Sequence, residues 1–150
     1  MQKSKRLIRL VALFVVFISL SAFIGDYGDE KDLIKAADKH FEVGDYAECK
    51  DLYAQLRGLH PQDPNYSYRY GVCLLFASED KVEALRYLKF ATKNEGNVDP
   101  QVFFYYGKAL QANYEFDEAA KQYKKFQTLV KSKEAQALNV SNHIKQCFAA

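Results

Sequence analysis

No acidic residue occurs in this 150-residue chain before Asp26, while Lys3, Lys5, Arg6 and Arg9 all do. The formal charge of +2 therefore averages two unlike parts: four of the 21 basic residues lie in the first 25 positions, leaving 17 against 19 acidic ones in the rest. Neither part carries the clustered basic face expected of a nucleic-acid binder. Three cysteines are too few for a disulfide scaffold of the small secreted type. No glycine-rich turn of the dinucleotide or phosphate-binding kind is present, since Gly107-Lys108 lacks an upstream glycine and falls inside a helical pattern. The three histidines, His40, His60 and His143, are scattered, and none has an Asp, Glu or Cys at a recurring ligand spacing. No segment alternates in the manner of a strand. These absences leave a non-enzymatic chain with no catalytic residue, metal site or cofactor, and the length supports one domain with a substantial core.

What is present begins with an apolar run from Leu10 to Ile24, interrupted only by Ser19 and Ser21 and closed by Gly25, Asp26 and Gly28. A basic start, about 15 apolar residues and small residues near the end match a secretory signal peptide. The run is short of the roughly 20 residues that span a bilayer. Residues 1–25 are expected to be a cleaved signal, with Ser19 and Ser21 before a start near Ala22. The alternative is a retained anchor that associates the chain with the membrane, because Phe23 and Ile24 prolong the run. Either way the body, 26–150, is expected to be exported to the periplasm.

The body repeats itself. Leu33 to Pro61, Tyr66 to Asn94 and Val102 to Val130 align, with small residues at Ala37, Gly71 and Gly107 and a second small set at Cys49, Ala84 and Ala119. Apolar side chains follow at Tyr53, Leu88 and Tyr123, then at Leu56, Ala91 and Phe126. A period near 35 with this pattern predicts stacked helix pairs, the small residues standing where paired helices cross closely. Turn signals place the helices at about 30–43, 46–59, 65–77, 80–93, 100–113 and 116–130: Gly44 as a left-handed cap, Asp45 as an N-cap, Asn113-Tyr114-Glu115 in the third unit, and Pro64 and Pro100 at helix starts. Ser132 to Phe148 predicts a seventh, capping helix whose apolar face holds Ala137, Leu138, Val140, Ile144 and Phe148. The fold class is all-α.

GDYAECKDLYAQLRGLHP and YGKALQANYEFDEAAKQY resemble the tetratricopeptide repeat. They keep its turn glycine, aromatic, small and closing-proline positions, and depart from it in Cys49 and in the absence of tryptophan. The resemblance covers about residues 31–130 and implies a solenoid of three repeats, about 31–64, 65–98 and 99–131, with a cap at about 132–148. It also implies that a protein or peptide partner binds the concave face, here Ile34, Asp38 and Phe41, Tyr68, Val72 and Leu75 with Phe76 at the margin, and Phe104, Lys108 and Gln111. Family members that clamp a C-terminal carboxylate use Lys, Asn and Arg there. Ile34, Asp38, Val72, Gln101 and Tyr105 stand in those places, which argues against a clamp. More narrowly, YRYGVC, the Asp99-Pro100 start, FFYYGKALQANYEFDEA and the terminal QC resemble the repeat segment of Bacteroidetes-type envelope proteins that elsewhere carry a PD40 propeller and an OmpA-like domain. Residues 1–150 contain neither domain, so the implied role is a scaffold in the cell envelope, with cell-wall anchoring not carried over. The alternative is a membrane-anchored assembly subunit of an envelope or secretion complex.

Cys49 and Cys73 fall on helices of adjacent units. Export leaves a disulfide open, but Cys49 fills a small packing position, and two free buried thiols are the preferred expectation. Asn65-Tyr66-Ser67 and Asn139-Val140-Ser141 match the glycosylation pattern by chance, both being expected in helices.

Overall fold

A computed structural model of the chain describes residues 29–94 and 96–149; the expected signal or anchor segment lies outside them. Eight helices and no strand occur among the described residues: α1 (Glu30–Glu42), α2 (Tyr46–Leu59), α3 (Pro64–Ala77), α4 (Lys81–Thr92), α5 (Gln101–Ala112), α6 (Phe116–Leu129), α7 (Ser132–Ala137) and α8 (Val140–Ala149). None of them is long and apolar enough to cross a membrane.

The starts follow from side-chain capping. Asp63 accepts hydrogen bonds from the Asn65 and Tyr66 amides at 2.7 and 3.2 Å, with Pro64 in the first turn of α3. Asp80 does the same for Val82 and Glu83 at the start of α4. Each cap satisfies amide donors that have no partner within the helix. Gly44 ends the first helix at φ 77°, a conformation that glycine adopts without steric cost. In the third unit the left-handed position is taken by Tyr114, at φ 63°. The second unit ends differently: the Lys81 ammonium donates to the Leu75 carbonyl at 2.8 Å and to the Ser78 carbonyl, tying off the C-terminus of α3.

Consecutive helices pack on one another, and α3 also touches α5, so the first helices of successive pairs line a common face. The three apolar columns read from the sequence form the centre of this stack. Cys49, Ala84, Ala119, Tyr53, Leu88, Tyr123, Leu56, Ala91 and Phe126 are all fully buried. The small residues opposite them are obligatory in two units. A Cβ on Gly71 would stand 2.8 Å from Leu88 Cγ, and one on Gly107 would stand 2.7 Å from Tyr123 Cε1.

Two expectations are corrected. Cys49 and Cys73 are bonded to each other, with Cα atoms 6.4 Å apart and both residues fully buried, within the usual span of a disulfide. Cys49 thus serves as the small residue of its column and as a covalent tie between α2 and α3. The terminal segment is two helices instead of one. Asn139 at φ 51° breaks it, a left-handed position that asparagine tolerates better than most residues. The break buries Val140 and Cys147 against the stack and leaves Phe148 exposed, with Lys124 over its ring at 5.3 Å.

Gly107→Ala is expected to destabilise the protein by about 1–2 kcal/mol, because overpacking against a buried ring exceeds the gain in helix propensity. Gly58→Ala, in α2 with nothing within 4 Å of the added carbon, is expected to stabilise it by roughly 0.5–1 kcal/mol. Urea midpoints of opposite sign check the pair. Thiol titration of the denatured, unreduced chain is expected to find one free thiol, Cys147. Reduction is expected to cost about 3 kcal/mol for a loop of this length, and three titratable thiols before reduction would contradict the bond.

Candidate functional site

The residues implied as partner-binding form three columns along α1, α3 and α5: Ile34, Tyr68 and Phe104; Asp38, Val72 and Lys108; Phe41, Leu75 and Gln111. The structure divides them. Tyr68, Val72, Leu75 and Phe104 are buried in the core, with Val72 at 0 % exposure, so they support the face from beneath. Ile34, Asp38, Phe41, Lys108 and Gln111 are partly exposed.

Two of these five are already engaged. The Asp38 carboxylate accepts the Tyr53 hydroxyl and pairs with Arg69 at 3.3 Å, and Arg69 also donates to the Tyr53 oxygen at 3.3 Å. Burial and the bond to Asp38 hold the Tyr53 phenol well above its ordinary range, so it stays a neutral donor. Gln111 Oε1 accepts the Tyr123 hydroxyl at 2.9 Å.

Phe41 anchors the open part of the face. Tyr46, Tyr53 and Tyr68 meet its ring edge-on at 5.9–6.3 Å, and the Arg69 guanidinium lies 4.8 Å from its centre. Next to it, Tyr46 stacks on Phe76 at 4.6 Å, and Tyr105 meets Phe76 edge-on at 6.1 Å. This wall of Tyr46, Phe76 and Tyr105 separates two hollows. One, about 310 Å³, lies between Phe41, Glu42, Tyr46, Arg69, Asp99 and Tyr105. The other, about 320 Å³, lies between Leu75, Phe76, Lys81, Lys108 and Gln111. Phe76 is 44 % exposed.

Charge is distributed unevenly across the wall. Arg69 is neutralised by Asp38, which leaves Glu42 and Asp99 as the net charge of the first hollow. In the second, Lys81 is committed to the end of α3. Lys108 holds its ammonium over the Phe76 and Phe104 rings at 5.7 and 5.8 Å, with no carboxylate paired to it among the described residues. Burial pulls its pKa down.

Tyr46 and Tyr105 were not among the residues singled out from the sequence as binding, and neither were Arg69, Glu42 and Asp99. Tyr46 reads as the aromatic of the repeat turn, and nothing in a linear pattern shows that it reaches Phe76 one unit away. Among the described residues no cluster of three or more His, Cys, Asp or Glu side chains could hold a metal ion.

The terminal helix closes the far end. His143 on α8 stacks on Tyr123 at 5.2 Å and meets Phe104 edge-on at 5.5 Å, with Nδ1 buried and without a hydrogen-bond partner. Burial first, and Lys108 second, lower its pKa. The unfolded chain therefore binds a proton more readily than the folded one below an ordinary histidine pKa, and stability falls as pH falls through that window. Melting temperature is expected to drop between pH 7.5 and pH 5.5, with His143→Gln flattening the drop; an identical profile in the variant would contradict the assignment.

The chain matches no protein-family model and no curated protein.

Proposed function

We propose that this chain is a non-catalytic, exported scaffold of the tetratricopeptide class that holds an envelope protein or peptide segment on the face built from α1, α3 and α5. The observation that carries the proposal is the aromatic wall of Tyr46, Phe76 and Tyr105, part-open between two hollows while the repeat columns behind it are sealed. Tyr and Phe offer large contact area at small entropic cost, which suits recognition. The spacing of the buried columns supports the repeat class, and the family's use of its inner face supports the location by analogy. The basic, then apolar, first 25 residues support export. The disulfide supports it too, since such bonds persist mainly in oxidising compartments. Whether the apolar segment is removed or retained as an anchor is decided by the mature N-terminus: a start near Ala22 selects the free periplasmic form.

A photo-cross-linking residue in place of Gln101, at the edge of the first hollow, is expected to trap a specific envelope protein in cells. The same residue in place of Val82, which lines neither hollow, is expected not to. Phe76→Ser, a surface change that preserves helical circular dichroism, is expected to abolish the trapping. Equal trapping from Val82, or trapping unchanged by Phe76→Ser, would sink the assignment of this face.

A further inference from the structure

The two hollows share one aromatic wall but carry opposite charge. On one side are Glu42 and Asp99, neither of them paired with a cation among the described residues. The Asp99 carboxylate accepts the Gln101 amide at 2.8 Å, which fixes it at the start of α5 beside Tyr105. Tyr46 and Tyr105 line the same space. Paired carboxylates hold an ammonium or guanidinium by charge-assisted hydrogen bonds, and flanking rings cover the apolar stem of a Lys or Arg. On the other side Lys108, half-buried and set over Phe76 and Phe104, has no carboxylate paired to it among the described residues. An anion placed there would supply the counter-ion that the fold does not.

The wall is a stacked pair of rings: Tyr46 lines the first hollow and Phe76 the second, 4.6 Å apart, and the Lys108 ammonium is 5.7 Å from the Phe76 centre. Same-side side chains of an extended segment recur about every 6.6 Å, so residues two or four apart bracket such a pair.

Resting on the scaffold function proposed above, we infer that this face selects an extended peptide segment in which a Lys or Arg stands two or four residues from an Asp or Glu. The basic group sits among Glu42, Asp99, Tyr46 and Tyr105, the acidic group sits on Lys108, and the backbone crosses the Phe76 ring. A uniformly basic or uniformly acidic segment meets one favourable hollow and one repulsive one, so the recognition is bipolar and not a matter of net charge.

Random-peptide phage display on the full chain in mild detergent is expected to enrich sequences with a base and an acid two or four positions apart. A synthetic peptide from the strongest clone, read by fluorescence anisotropy, is expected to bind about tenfold more weakly when its Lys is replaced by norleucine or its Glu by Gln. Glu42→Gln with Asp99→Asn should erase the effect of the norleucine change and keep that of the Gln change; Lys108→Gln should do the reverse. All three substitutions are on solvent-accessible side chains, and circular dichroism verifies the fold. Enrichment without paired charges, or penalties that the protein variants leave in place, overturns the charge selection while Gln101 cross-linking leaves the scaffold function standing. Failure of both display and cross-linking overturns the two together.

Discussion

The closeness of each helix to its partner governs the rest of the structure. At Gly71 and Gly107 there is no room for a methyl group, because Leu88 and the Tyr123 ring occupy the space a Cβ would need. Ala37 holds the corresponding place in the first unit and is fully buried. Helices pressed this near fix each other's rotation, and a fixed rotation fixes which side chains face the next pair. The buried columns, the covalent bridge and the open aromatic wall are all consequences of that rotation. Dense packing of this kind has few alternative arrangements, so the open aromatic face is presented by helices instead of loops.

Against this background the polar groups fall into two sets. Asp38, Tyr53 and Arg69 satisfy one another, with Arg69 further covered by Phe41. They serve cohesion between the first and second units and offer little to a partner. Glu42, Asp99 and Lys108 are different, because the described residues give them no opposite charge. A half-buried ammonium without a counter-ion carries a desolvation cost that its ring contacts offset only in part. Local departures from what stability favours are expected at functional positions more than elsewhere. The departure here coincides with a stretch of the face where the large rings Tyr46, Phe76 and Tyr105 remain in reach of solvent beside two hollows.

Much of this architecture was legible in the sequence because helix pairing is periodic. Column spacings near 35 identified the nine core positions, and turn residues put the helix ends within about two residues. Periodicity failed where the third dimension decides. It assigns a residue to a helix face but does not say how far the neighbouring unit overlaps that face, so Tyr68, Val72, Leu75 and Phe104 read as a groove and are its floor. It places Cys49 and Cys73 on adjacent helices without giving their separation, and the preference for free thiols followed from the small-residue column alone. The break at Asn139 was missed because Ala137, Leu138, Val140 and Ile144 fit one continuous helix nearly as well as two. Tyr46 and Phe76 belong to different units, and only the stack brings them into contact.

The terminal helix also bounds what the face can hold. By setting His143 on Phe104 and Tyr123, α8 covers the inner side of the third unit, as a cap must if a solenoid is not to expose apolar surface at its end. What stays open runs from Phe41 to Gln111, two hollows and the wall between them. On the function proposed above, a face that short would engage a few side chains of a partner, and its affinity would depend on how completely those contacts are matched, since area alone does not set binding strength. Glu42 and Asp99 on one side of the Tyr46–Phe76 stack and Lys108 on the other would supply such matching to the bipolar segment proposed for this face.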